Sequence, residues 1–394
     1  MEFWSNPIKA AADWLTGVFT GWGMPASASN VVVSLIGVVA LIVVVMVLDI
    51  MLVWLERKIV ARFQDRLGPN RLGPFGLIQP FADIIKLLIK EDTTPSGADR
   101  VVYNVAPILA MMAVLLLWAV LPVAPIIFGV DINVGALYVI AVGAIGTLAI
   151  ITAGWASNNK YALLGAFRQV AVMISYEIPM VVAILIPTML AGTMGINSIV
   201  EAQNVWYFWL APLAAVLFLV SAMAELGRAP FDLAEAESEL VAGHHIEYSG
   251  MKFGMFYAAE LLHAFTFGGF MAAFFFGGWR GPGVAQFPLL GLFWFMLKAL
   301  IGYWVFGWIK YTMPRIRIDH MLALNWKFLV PVSFVLLMVV ALMNSLLRGS
   351  DYYVIGMFLS NVVVGWGALE IVRASARRQR KEIETPAQTA SAHH

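Results

Sequence analysis

Carboxylates are scarce in this chain except in one place. Between Glu225 and Glu247 the sequence reads ELGRAPFDLAEAESELVAGHHIE, with six acids (Glu225, Asp232, Glu235, Glu237, Glu239 and Glu247) against one base, Arg228. The chain has 24 acids in 394 residues, so a quarter of them occupy these 23 positions. A charged side chain at mid-bilayer costs at least about 2.5–3.5 kcal/mol, so acids pressed between hydrophobic spans face a cavity, a partner or a proton path. Clustered like charges cannot all ionise, and a carboxyl poised near neutrality exchanges a proton when a neighbour's charge changes. The chemistry this cluster suits is proton transfer; the competing reading is pairing with basic residues of a docked partner. Pro230 fits a first helical turn and Gly243 a stop, so a short helix is predicted between them. At 100° per residue Asp232, Glu235 and Glu239 share one face, while Glu237 falls between Leu233 and Leu240 in the apolar sector.

Composition says what must position these acids. The chain is 61% hydrophobic and only 12% charged, with a mean hydropathy of +0.83. Soluble domains carry about 25% charged residues, so an all-α, polytopic integral membrane bundle is predicted. Nine stretches are apolar enough to span, at about 31–55, 104–127, 134–154, 172–192, 208–226, 255–277, 288–309, 328–347 and 352–372. Of the 25 Lys and Arg, 21 fall in alternate connections on one side and 3 on the other, with Lys298 inside the seventh span. The positive-inside rule then places the amino terminus outside and the carboxyl terminus in the cytoplasm. Residues 1–372 read as one membrane domain, and 373–394 as a basic, disordered cytoplasmic tail able to rest on anionic lipid. No cleavable signal peptide is evident. The absence of cysteine excludes thiolate metal sites, iron–sulfur clusters and disulfides on this chain. Six histidines, two of them terminal, leave little for haem or zinc, so no metal is expected. Redox chemistry is therefore expected on a diffusible ligand or a partner. A net charge of +1 offers nothing for a nucleic acid.

The connection 56–103 is more than a linker. It opens ERKIVARFQDRLGPNRLGPFG, whose two Gly-Pro turns break any long helix. PFADIIKLLIKED follows, with Phe81, Ile84, Ile85 and Leu88 on one helical face and Asp83, Lys86 and Lys90 on another. Too short to cross a bilayer, it is predicted to lie in the interface plane. Other charges stand alone: Asp49 and Glu56 near the cytoplasmic end of the first span, and, at membrane depth, Glu177 at the start of the fourth and Glu260 in the sixth. His263 shares the face of Glu260 without a ligand set around it. Lys298 either counters a carboxylate such as Glu260 or snorkels.

Three blocks carry a family resemblance. ERKIVARFQDRLGPNRLGPFGLIQPFADIIKLLIKED, RAPFDLAEAESELVAGHHIEYSGMKFGMFYAAE and YTMPRIRIDHMLALNWKFLVP resemble, in order, three loops of the H-subunit family of NADH-quinone oxidoreductase, respiratory complex I. The chain departs from the family where Glu225-Leu226-Gly227-Arg228 replaces Glu-Thr-Asn-Arg, where Ile318-Asp319-His320 replaces Tyr-Asp-Gln, and at His244, where Phe or Tyr is common. No acid or arginine of the pattern is lost.

The resemblance implies a non-redox subunit at the junction of the membrane arm with the hydrophilic arm, in a bacterial cell membrane. It implies a quinone portal framed by the first span, the interfacial helix and the sixth span, with ubiquinone or menaquinone as substrate. Glu56, Arg57, Arg62, Asp65, Arg66, Arg71, Phe81 and Arg228 are the candidates there; anchoring on lipid or on docked subunits is the plainer role for each arginine. Glu177, Glu225, Asp232, Glu235, Glu237, Glu239 and Glu260 are the candidate proton relay. FMN and iron–sulfur clusters would sit on partner subunits. Two rival readings differ in what they require: a related membrane-bound hydrogenase or non-NADH dehydrogenase would have different partner subunits, and a secondary transporter would have inverted repeats. No internal repeat is visible.

Overall fold

Lipid cannot satisfy backbone N–H and C=O groups, so an apolar run this long has to close its hydrogen bonds within a helix. The computed structural model describes residues 7–233 and 237–391, and side chains at all of these except 7, 237, 238, 375, 376 and 378–391. Among the described residues eight helices are long and apolar enough to cross a membrane. An outlying helix α1 (Pro7–Gly21) precedes the first span, α2 (Ala26–Phe63). The amphipathic segment predicted for the interface plane forms a helix, α3 (Gln79–Ile89). Three spans follow: α4 (Arg100–Trp118), α5 (Gly135–Ala156) and α6 (Lys160–Ala191). After two short pieces, α7 (Ile196–Ala202) and α8 (Tyr207–Leu210), comes α9 (Pro212–Glu225). The single turn α10 (Glu237–Leu240) precedes the spans α11 (Gly250–Phe275) and α12 (Leu290–Thr312). Helix α13 (Ile318–Leu324) runs through a π-helical stretch, Asn325–Leu329, into α14 (Val330–Leu347), and α15 (Tyr353–Ser391) closes the chain.

Local signals set several ends. Asp99 caps α4, its carboxylate accepting from the Val101 and Val102 N–H groups at 3.1 and 3.4 Å. Asn159 caps α6 by accepting from the Tyr161 N–H at 2.9 Å. Gly192, at φ +72°, stops the same helix in the left-handed conformation a side chain would strain.

Three sequence expectations need correcting. The fifth predicted span, 208–226, is interrupted at Ala211 and resumes at Pro212, whose ring has no N–H to continue the preceding turn. Its 14 residues reach only about 21 Å at 1.5 Å per residue, short of the hydrocarbon thickness. By length alone, eight described helices can each cross, and the fifth predicted span is covered by α8 and α9 together, broken at Ala211. Among the described residues the predicted acid helix is seen only at Glu237–Leu240, and Phe231–Leu233 are non-helical. Phe231 and Leu233 are both buried, and packing them into the bundle pulls the backbone off the helical path. The basic tail expected to be disordered continues α15 to Ser391, its Ala, Arg, Gln, Lys and Glu being strong helix formers.

Burial orders the bundle. The apolar window of α11 is 78% buried and that of α2 only 6%, so α11 is central and α2 peripheral. Helices α11 and α12 meet at a pair of glycines. A Cβ on Gly302 would lie 2.9 Å from the Gly268 Cα, and one on Gly268 would lie 2.6 Å from the Ala299 carbonyl oxygen. That close crossing brings Tyr303 and Lys310 of α12 to the level of Glu260 of α11.

Candidate functional site

Four charged residues from four segments converge inside the bundle. Glu56 lies two turns from the end of α2 and is 6% exposed; Arg228, in the loop after α9, is 2% exposed. The Arg228 Nη2 is 3.4 Å from the Glu56 Oε2, and its Nε donates to the Glu260 Oε1 at 3.0 Å. Lys310 donates to the Glu56 Oε1 at 3.0 Å and stands 3.8 Å from the Glu260 Oε1. Two phenols complete the shell around Glu56: Tyr303 donates to Oε2 at 2.8 Å and Tyr311 to Oε1 at 2.6 Å. Two carboxylates against two cations give no net charge. That balance, with both Glu56 oxygens hydrogen-bonded, lets the group persist at this depth. Burial works against the Arg228 charge, but Glu56 and Glu260 outweigh it and hold the guanidinium above its ordinary range.

A cavity of about 110 Å³ opens on the other side of Glu260. It is lined by Glu225, Glu260, Gln169, His244, His245, His263 and Tyr257, and by the apolar Ala110, Val114 and Met173. Gln169 and Met173 are followed four residues on by Glu177 along the same face of α6, and Glu177 is near enough to Glu225 to couple to it electrostatically. Gly227 makes room here: at φ +61°, it would place a Cβ 2.4 Å from the Gln169 Nε2. Burial, with His245 beside it, pushes the His244 imidazole down to about 3, so it is neutral at physiological pH.

The remaining candidates are dispersed. Arg57 pairs with Asp83 of α3, and Lys86 shares that carboxylate at 3.5 Å, tying the end of α2 to the interfacial helix. Arg62, in the last turn of α2, is exposed, as are Asp65, Arg66 and Arg71 on the following loop. Phe81 is exposed with Ile85 and Leu88, so the apolar face of α3 points away from the bundle. Asp232 pairs with Arg315 at 3.5 Å, and Glu239 pairs with Arg168 at the surface. Glu247 accepts from the Asn159 Nδ2 at 2.7 Å. Glu235 and the side chain of Glu237 lie outside the described residues. Asp49 is buried, with its Oδ1 unpartnered in the protein.

Lys298 counters no carboxylate among the described residues: its ammonium donates to the carbonyls of Phe276, Gly278 and Arg280, in the connection after α11, at 2.8, 2.9 and 2.7 Å. Tyr303, Lys310, Tyr311, Asp83 and Gln169 do not stand out in the sequence as site residues. A signal existed for two of them, because Tyr303 and Lys310 are seven apart and so share a helical face. Lys310 looked like one more cation of a charged loop.

The fold and this site define an all-α polytopic membrane protein that keeps compensated charge within its bundle. Residues 36–341 match the model of the family described as NADH dehydrogenase, and the chain belongs to that family. It is 48% identical over 297 residues to the H subunit of the NADH-quinone oxidoreductase of Dehalococcoides mccartyi (strain CBDB1), covering 75% of this chain and 83% of that protein. It is 44% identical over 326 residues to an H subunit of the same enzyme from Geobacter metallireducens, covering 80% and 98%. With the H subunit of Phocaeicola vulgatus it shares 40% identity over 348 residues, 84% and 97% of the two chains.

Proposed function

We infer that the chain is the membrane-arm subunit of a bacterial proton-translocating NADH:quinone oxidoreductase that shapes the quinone portal and passes the charge change of quinone reduction into the membrane. Supporting this is one contact set: Arg228 bridges Glu56, a portal candidate, to Glu260, a relay candidate. Electrons would arrive from the FMN and iron–sulfur clusters of partner subunits to a ubiquinone or menaquinone, which takes up two electrons and two protons on becoming a quinol. This chain would then act without a redox group. The exposed apolar face of α3, with Phe81, Ile85 and Leu88, suits the prenyl tail or the lipid through which it arrives. Exposed Arg62, Asp65, Arg66 and Arg71 suit contact with the hydrophilic subunits or with the polar end of the chamber. A proton taken from the Glu56–Arg228–Glu260–Lys310 network unbalances it, and the acids beyond (Glu225 and Glu177) are the groups placed to respond. Asp232, Glu235, Glu237 and Glu239 would extend that path on the charged face, which is taken as cytoplasmic with the amino terminus outside.

Glu225→Gln in the reconstituted complex tests the relay. Electron transfer from NADH to quinone should become uncoupled or slow, with protons moved per electron reduced. Wild-type pumping with normal turnover would refute it.

A further inference from the structure

Helix α1 stands ahead of residues 36–341, the part of the chain that matches the family model. Its 15 residues reach about 22 Å at 1.5 Å per residue, too short to cross the hydrocarbon. At 100° per residue, Lys9, Asp13, Thr16 and Thr20 fall within about 60° of one another. Ile8, Ala11, Trp14, Leu15, Val18 and Phe19 fill an arc of about 140° on the other side. The bundle uses only one flank of that arc. Helix α1 packs against α2, and Leu15 and Phe19 are half-buried, while Ala11 is exposed and Trp14 is 68% exposed. Trp22, just past the helix and edge-on to Phe19 at 5.8 Å, is 77% exposed.

Connectivity sets the depth at which those side chains lie. Residues 22–25 join α1 to α2, whose first residues, 26–30, are small or polar. Val31 opens the exposed apolar surface of α2, which runs on through Leu35, Val38 and Ile42. Five helical residues rise about 7.5 Å, and the headgroup layer on each side of a core of about 30 Å is about 5–7 Å thick. Helix α1 is therefore held at headgroup depth, where tryptophan rings prefer to lie. The surface continues outward from it, because the apolar window of α2 is only 6% buried. We propose that α1 is a membrane-surface anchor, lying flat in the headgroup layer of the bilayer face opposite α3, with Ala11, Trp14 and Trp22 set into phospholipid. Lys9 and Asp13 are the only charges of α1 and they cancel, so apolar burial carries the attachment and anionic headgroups add nothing to it. Anchored there, α1 fixes the depth of α2, whose far end carries Glu56 and is tied to α3 through Arg57 and Asp83.

Photocrosslinking in the intact complex decides it. With p-benzoylphenylalanine in place of Trp14, ultraviolet light should add the mass of one phospholipid to this subunit and join it to no other. The lipid adduct should form to the same extent, within about twofold, in vesicles of phosphatidylcholine alone and with phosphatidylserine added. A crosslink to another subunit, or no adduct at all, overturns the proposal, as does an adduct that needs phosphatidylserine. Where that variant fails to assemble, the same probe in place of Trp22 gives the comparison. A second measurement compares the two faces through residues that the chain itself leaves exposed. In open membrane fragments, Ala11→Cys and Trp14→Cys should react with a water-soluble maleimide at least about tenfold more slowly than Asp13→Cys and Thr20→Cys. Equal rates on the two faces overturn the anchor.

Discussion

Arg228 is the residue on which the buried network turns. It touches both carboxylates, is 1% exposed at its side chain, and lies about 6.0 Å from the Tyr303 ring. Removing one partner from a buried ionic group costs about 3–5 kcal/mol, because the charge left behind is neither solvated nor paired. Arg228→Gln should therefore lower the temperature at which the purified complex releases subunits, with Glu56 and Glu260 left to Lys310 alone. Arg317→Gln, at the exposed pair with Asp319, should leave that temperature where it was. Equal shifts in the two variants would contradict the assignment. The sequence offered Glu56, Arg228 and Glu260 as candidates but sorted them into two different roles. Distances place them in one group.

Helix contacts decide whether those side chains can meet. Tyr303 and Lys310 reach Glu56 because α11 and α12 cross at Gly268 and Gly302, with no Cβ to hold them apart. Gly302→Ala should cost about 1–3 kcal/mol through overpacking, and should reduce quinone reductase activity by moving the α12 donors off Glu56. Gly367→Ala, on α15 with open space around it, is the matched control and should be neutral or slightly stabilising. Thermal melting of both variants with parallel turnover assays checks this; an inert Gly302→Ala would remove the glycine crossing from the account. The crossing was invisible in sequence, since 33 glycines are scattered through the chain and nothing marks which two oppose each other. The interfacial helix α3, by contrast, was legible in sequence, because its amphipathic period and flanking breakers are local properties.

At the scale of the whole molecule, the skew of 21 cations to 3 makes a topology statement that can be tested directly. The chain has no cysteine, so a single introduced thiol can be followed in this subunit. Ser96→Cys, in the exposed loop before α4, should react with an impermeant maleimide only in inverted vesicles. Ser350→Cys, in the exposed loop before α15, should react only in right-side-out ones, and the reverse pattern would overturn the orientation. The sequence by itself determined the membrane class, the positions of most spans, the short amphipathic helix α3 and the family, because hydropathy, period and motif are carried by neighbouring residues. Only the tertiary structure decided that Glu56 meets Lys310, 254 residues away, and that Gln169, His244 and His263 line one cavity. It also separated the four acids of that stretch whose side chains are described: Glu225 is buried, while Asp232, Glu239 and Glu247 are held by separate partners. A helical period fixes which residues share a face. Which face meets which is settled by packing among helices far apart in the chain, and that information is in no single stretch of it.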